Sequence, residues 1–199
     1  SSHPMTTIDR GRLASLYATE QRRFSESHPA SLALYQRAKG SLFEGVPMHW
    51  MAKWAGGFPL FVKEGQGAHF TDVDGQRYLD LCLGDTGAMT GHAPKATVEA
   101  VKRQAEKGFT FMLPAEDHLW VAEELSRRFG LARWQFAMTA TDANRFAIRL
   151  ARMLTGRPKI LVHNWCYHGT VDETFATLND GVVGPRPGNL GPPVNPAVT

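Results

Sequence analysis

The chain has 199 residues, 43% of them hydrophobic and 21% charged, with a formal net charge of +3. That balance belongs to an ordinary globular protein, long enough for one large domain or for one and a part. Acidic and basic residues are interspersed, as at Glu123-Glu124 beside Arg127-Arg128, which reads as a solvated surface and makes nucleic acid an unexpected partner. Two cysteines, Cys82 and Cys166, are too few for a secreted disulfide framework. No signal-peptide pattern or apolar run of membrane-spanning length is seen. The expectation is a cytoplasmic protein with reduced thiols and no membrane partner. Ser1-Ser2-His3-Pro4 before Met5 reads as an expression scar.

From Ile8 to Lys39 the pattern predicts helix, with apolar stripes at Leu13, Leu16 and Tyr17 and at Leu32, Leu34, Tyr35 and Ala38. Ser27-His28-Pro29 predicts a break, because a residue before proline resists the helical region. Gly40 to Pro59 is irregular. Leu60-Phe61-Val62, Ala68 to Thr71 and Gln76 to Leu83 predict a small antiparallel meander, its last turn at Asp74-Gly75. A glycine-containing loop at 84–91 leads to helices over 94–107 and 117–129, the first stopped by Gly108. The rhythm then becomes strand, helix, strand. Trp134, Phe136 and Met138 alternate with polar neighbours. Residues 143–154 repeat at helical spacing and stop at Gly156. Ile160-Leu161-Val162 reads as a strand buried on both faces. Such a unit predicts a right-handed parallel crossover. Residues 181–199, dense in Gly and Pro, read as a loop. Two parallel strands make no stable covered sheet, so the expectation is the N-terminal part of a longer protein.

Two segments carry chemistry. Thr139-Ala140-Thr141-Asp142 joins the first strand of that unit to its helix. Small residues at such a junction let an anion approach the first helical amides, which have no partner inside the helix and lie at the positive end of its dipole. The donors would be the Ala140 and Thr141 amides and the Thr139 or Thr141 hydroxyl. The same residues spell a helix cap, Thr139-x-x-Asp142, and a carboxylate repelled by a phosphate points away from it. Tyr167, just past the second strand, stands where ligands sit in parallel sheets and offers a ring for stacking on a planar heteroaromatic group, with His168 beside it. His163, Cys166 and His168 have no second ligand pair at zinc-like spacing, so no metal is expected. His92 reads as a helix-entry residue.

Further pieces run in order between about Gly40 and Asp172. They are Gly57 to Phe61, Gly67 to Gly75, Tyr78-Leu79-Asp80, Gly91-His92, Ala147 to Arg152, Thr155-Gly156-Arg157 and Cys166-Tyr167-His168-Gly169. As an ordered set these resemble the class III aminotransferases of the fold-type I pyridoxal-phosphate enzymes, in pattern most the glutamate-1-semialdehyde aminomutase-like branch. The resemblance implies an α/β fold-type I architecture. Residues 5–83 would belong to the small domain and 84–180 would begin the large cofactor-binding domain, with 181–199 leading to a remainder. It implies pyridoxal 5′-phosphate held by Thr139, Ala140 and Thr141, stacked on Tyr167 with His168 alongside. It also implies a homodimer with an active site between subunits, acting on amines and keto acids.

Three departures shape the reading. The family's usual Ser-Gly-Thr-Glu-Ala is here Thr139-Ala140-Thr141-Asp142-Ala143, and alanine in place of glycine requires a negative φ. The aminomutases carry an arginine for the substrate carboxylate where this chain has Met48-His49-Trp50-Met51. That favours a transaminase with a more apolar pocket built partly from Trp50 and Trp54, and with Asp85 facing a substrate amine. An aminomutase, racemase or lyase is the alternative within the family, and a non-catalytic dimerising or ligand-binding protein the alternative outside it. The Schiff-base lysine and the carboxylate on the pyridinium nitrogen are expected beyond Thr199; Lys159 matches an ordinary basic position.

Overall fold

The computed structural model describes residues 8–53, 55–186, 194, 195 and 197–199. They fall into two compact units divided between Phe111 and Met112. Trp54, one of the expected pocket residues, lies outside the described residues.

In the first unit, helix α1 (Arg10–Ser27) is capped by the Asp9 carboxylate, which accepts from the Arg12 amide at 2.9 Å. It breaks at His28, as the Ser-His-Pro sequence predicts, and α2 (Pro29–Ala38) follows with proline in its first turn. The α2 cap comes from far along the chain. The two Asp74 oxygens accept from the Ala30 and Ser31 amides at 2.6 and 2.9 Å.

Asp74 sits in the last turn of an antiparallel meander of β1 (Val62–Gln66), β2 (His69–Asp72) and β3 (Arg77–Leu79). The expected Leu60-Phe61-Val62 strand therefore starts two residues later. Phe61 leaves the ladder and accepts a single bond from Val73. The apolar centre joins helices to meander through Phe58, whose ring lies 4.8 Å from Phe24 and 6.4 Å from Tyr35. Beside it runs a buried polar chain. The Tyr78 hydroxyl lies 2.6 Å from His28 Nε2 and donates to Asp72 Oδ2 at 3.0 Å.

Leu83, Gly84, Asp85 and Thr86 all have positive φ. Their loop is fixed at its root by Asp80, which accepts from the Cys82 and Leu83 amides at 2.9 Å and lies 2.6 Å from His92 Nε2. Helix α3 (Lys95–Ala105) closes the unit.

The second unit contains α4 (Glu116–Phe129) and α5 (Ala140–Thr155), each ending on a left-handed glycine, Gly130 and Gly156. A hairpin follows, β4 (Ala176–Asn179) paired with β5 (Val182–Pro185). This corrects the expected loop over 181–199 at residues 182–185; residues 187–193 and 196 of that stretch lie outside the described residues. Asp180 and Gly181 both have positive φ, 51° and 80°, as a two-residue hairpin turn of the primed type requires. The core here is Val171, Phe175 and the buried methyls of Thr174 and Thr177.

The predicted strands at 134–138 and 160–162 are not ladder-paired among the described residues. An extended segment becomes a strand only when a neighbour takes its amides and carbonyls. Residue 160 instead makes one bond, to the Val198 carbonyl. Met138 and Leu161 are 94% and 90% exposed, and the expected inner stripe of α5 is likewise open at Phe146, Leu150 and Leu154. The crossover's helix is formed, and no sheet for it is present among the described residues.

Candidate cofactor site

Helix α5 begins three residues earlier than its apolar repeat suggests, because Thr139 caps it. The Thr139 hydroxyl accepts from the Asp142 amide at 3.1 Å and donates to Asp142 Oδ2 at 3.1 Å. That exchange has two consequences. It turns the Asp142 carboxylate toward the cap, and it commits the Thr139 hydroxyl. Among the described residues the Ala140 and Thr141 amides have no acceptor, so two donors stand open at the positive end of a 16-residue helix. Ala140 lies inside the helix and is not among the residues with positive φ, which is the condition its missing glycine sets.

The loop that carries the aromatic residue is stapled to this first turn. The Thr170 amide donates to Thr141 Oγ1 at 2.9 Å, and the Asn144 side-chain amide donates to the His168 carbonyl at 2.9 Å. Gly169, at φ 78°, packs so closely that an added Cβ would overlap Thr141 Oγ1 and stand 2.8 Å from Thr141 Cα. Thr141 Oγ1 thus receives the Thr170 amide and also lies 3.5 Å from the Thr170 hydroxyl, where either oxygen can be the donor. His168 is half-buried, and its Nδ1 is buried without a partner among the described residues.

Tyr167 stands beside this contact and is 61% exposed. On the far side of the loop the hairpin holds on. Asn164 brackets Leu178 through both amide atoms, at 3.0 and 2.8 Å. Arg186 donates to the Cys166 carbonyl at 2.7 Å, with its guanidinium carbon 5.7 Å from the centre of the Tyr167 ring. Further along α5, Arg152 donates to Glu173 at 2.8 Å and to the Pro158 carbonyl, and its hydrogen bond holds the Glu173 carboxyl below the usual range.

The predicted residues therefore divide. Thr139, Ala140, Thr141, Tyr167 and His168 lie in one unit, and the His168–Thr170 segment is bonded to the helix start. Trp50 and Asp85 lie in the other unit, both exposed, Asp85 at φ 52° in the left-handed loop. Sequence reasoning missed Asn144, Asn164, Gly169 and Arg186. The signal for Arg186 was the Asp180-Gly181 dipeptide between two short apolar runs, which marks the hairpin that delivers it. Among the described residues no group of His, Cys, Asp and Glu could hold a metal ion, and no helix is long and apolar enough to cross a membrane.

These features fit a phosphorylated planar cofactor. Two unpaired amides beside a threonine hydroxyl suit a phosphate. The absence of room for a Cβ at Gly169 brings the aromatic loop against the same helix turn.

The chain is similar to known proteins over most of its length. The model of the family Aminotransferase class-III matches residues 50–183. A glutamate-1-semialdehyde 2,1-aminomutase of Symbiobacterium thermophilum is 39% identical over 173 residues, 85% of this chain and 39% of that protein. A solved glutamate-1-semialdehyde aminomutase of Pseudomonas aeruginosa PAO1 is 51% identical with a TM-score of 0.87, covering 92% of this chain and 41% of that one. A lysine-to-alanine variant of the same protein was solved in complex with PMP. An omega-transaminase of Sphaerobacter thermophilus is 32% identical with a TM-score of 0.74, over 81% of this chain and 38% of that one. The chain spans about two-fifths of the length of the relatives it matches. It belongs to the class III aminotransferases, fold-type I proteins whose cofactor is pyridoxal 5′-phosphate.

Proposed function

We propose that a protein of the relatives' full length carrying this chain is an enzyme that moves an amino group within one substrate, as a glutamate-1-semialdehyde 2,1-aminomutase does. The observation that carries this is 51% identity across 92% of the chain with a protein of that description. It is supported by aminomutases of several organisms at 35–39% identity. The transaminase reading drawn from the Trp50 region gives way to it as the first choice.

When bound, pyridoxal phosphate supplies an electron sink for the carbon that bears the amino nitrogen. This chain supplies the anchor. The Ala140 and Thr141 amides and the Thr141 hydroxyl hold the phosphate, with Thr139 shaping the turn. Tyr167 stacks on the ring, and His168 lies at its edge. The lysine and the pyridinium carboxylate come from the length the relatives have beyond this match. A homodimer with a shared active site and small amine or keto-acid substrates belong to the same proposal. So does a substrate wall drawn from Trp50, Trp54 and Asp85.

Intermolecular transamination is the second reading. It is favoured by Met48-His49-Trp50-Met51, where an aminomutase carries an arginine for the substrate carboxylate. Glutamate-1-semialdehyde given alone to the full-length protein, followed by NMR, separates the two. Migration of the amino group from C2 to C1 without a second substrate supports the mutase. Turnover only with an added keto acid supports the transaminase. Failure to bind pyridoxal phosphate would leave the non-catalytic alternative.

A further inference from the structure

We infer that Arg186 is a positioning residue for Tyr167, covering one face of its ring so that a planar cofactor can stack only on the other. This rests on the proposal that Tyr167 is the stacking residue and adds what holds it in place.

Tyr167 is 61% exposed, so among the described residues little packing fixes the plane of its ring. The Arg186 guanidinium lies over it, 5.7 Å from the ring centre, within the range of a cation–π contact. The guanidinium is itself fixed. Its Nη1 donates to the carbonyl of Cys166, the residue just before Tyr167, at 2.7 Å. One side chain therefore sets both the peptide that aims the ring and the face that stays covered.

The backbone beneath it has little freedom. Arg186 donates its amide to the carbonyl of the buried Phe175 at 3.0 Å. It also follows Pro185 at the end of β5 and precedes Pro187 in the sequence, and a residue before proline is confined to extended backbone. Asn164 adds a second tie from the same hairpin, bracketing Leu178. The hairpin thus acts as a rigid bracket, and Arg186 is its contact with the ring.

The test uses the full-length protein with Arg186→Met, Arg186→Gln and Tyr167→Ala. Dissociation of pyridoxal phosphate is followed by absorbance, and the visible circular dichroism of the bound cofactor reports its ring geometry. Arg186→Met is expected to weaken cofactor binding about 5- to 10-fold, the scale of one lost charged contact, and to reduce or reshape the dichroic band. Arg186→Gln keeps a donor for the Cys166 carbonyl but has no cation, and is expected to show the same change in the band. It decides alone should Arg186→Met not fold. Wild-type affinity and dichroism in the Arg186 variants, with Tyr167→Ala weakened, would overturn the inference and leave the stacking role standing. Wild-type retention in Tyr167→Ala would instead remove the reading beneath it.

Discussion

The backbone amide of Thr170 donates to the hydroxyl of Thr141 at 2.9 Å. Residues 29 positions apart in the chain are thereby fixed together, one in the opening turn of α5 and one in the loop that presents Tyr167. This bond joins the turn proposed to hold the phosphate to the loop of the proposed stacking residue. The Thr139 proton is given to Asp142 at 3.1 Å, whereas the Thr141 hydroxyl has the longer 3.5 Å contact with the Thr170 hydroxyl.

Thr141→Val should test that division of labour. Valine keeps the shape but removes both the acceptor for Thr170 and the donor for a phosphate. The expected result is roughly tenfold weaker cofactor binding, about 1.4 kcal/mol, the usual worth of a hydrogen bond to a charged group. Thr139→Ser should change binding little, because its hydroxyl serves the helix cap. Absorbance titration of the full-length variants checks both. Equal losses at the two positions would contradict the assignment.

Gly169→Ala should be harmful on two grounds. The position has φ 78°, which a side chain rarely adopts, and the added Cβ would stand 2.8 Å from Thr141 Cα. Loop and helix must then separate. The expected cost is about 1–3 kcal/mol, typical of overpacking, read as a lowered melting temperature with loss of cofactor retention. A variant that melts like wild type would show that the close approach is not maintained.

Tyr78 predicts an alkaline limb for the first unit. Burial, followed by its hydrogen bond to the Asp72 carboxylate, pushes its phenol up to about 12. An acid with a raised folded pKa gives stability that is fully present below the unfolded value of about 10 and is lost as pH climbs toward 12. Chemical denaturation between those values should show falling stability. Tyr78→Phe should flatten that fall while lowering stability at neutral pH, since Asp72 loses a donor. An unchanged alkaline limb in Tyr78→Phe would refute the account.

Asp80 predicts the opposite limb. The hydrogen bond from His92, then the amides of Leu83 and Cys82, hold its carboxyl below the usual range. A depressed carboxylate gives stability that is present above the unfolded value of about 3.9 and is lost as pH falls through the lower folded one. Hydrogen-exchange protection of the loop at 83–90, measured against the intrinsic rate at each pH, should therefore fall below about pH 4, and in Asp80→Ala it should already be low at neutral pH. Slow exchange in that variant would contradict the anchoring role.

Local rules made much of this legible in the sequence. The break at Ser27-His28-Pro29, the stop at Gly156 and the Thr139 cap depend on neighbours within four residues, and each is formed. The meander was readable from alternation and from Asp74-Gly75. Features set by distant partners were not. Asp74 caps a helix 43 residues away, and Asn164 pairs with a strand 14 residues on; nothing in composition marks either. The apolar runs at 134–138 and 160–162 show the converse. Their sequence has strand character, but ladders need a second chain segment, and none of the described residues provides it. The position of Arg186 was hidden because Gly and Pro around it read as loop, although the Asp180-Gly181 turn signal was present.

The most direct test is a crystal structure of the full-length protein with pyridoxal phosphate bound. The account predicts phosphate oxygens within hydrogen-bond distance of the Ala140 and Thr141 amides, with the cofactor ring stacked on the Tyr167 face opposite Arg186. A phosphate held elsewhere, with those two amides turned to water, would contradict it.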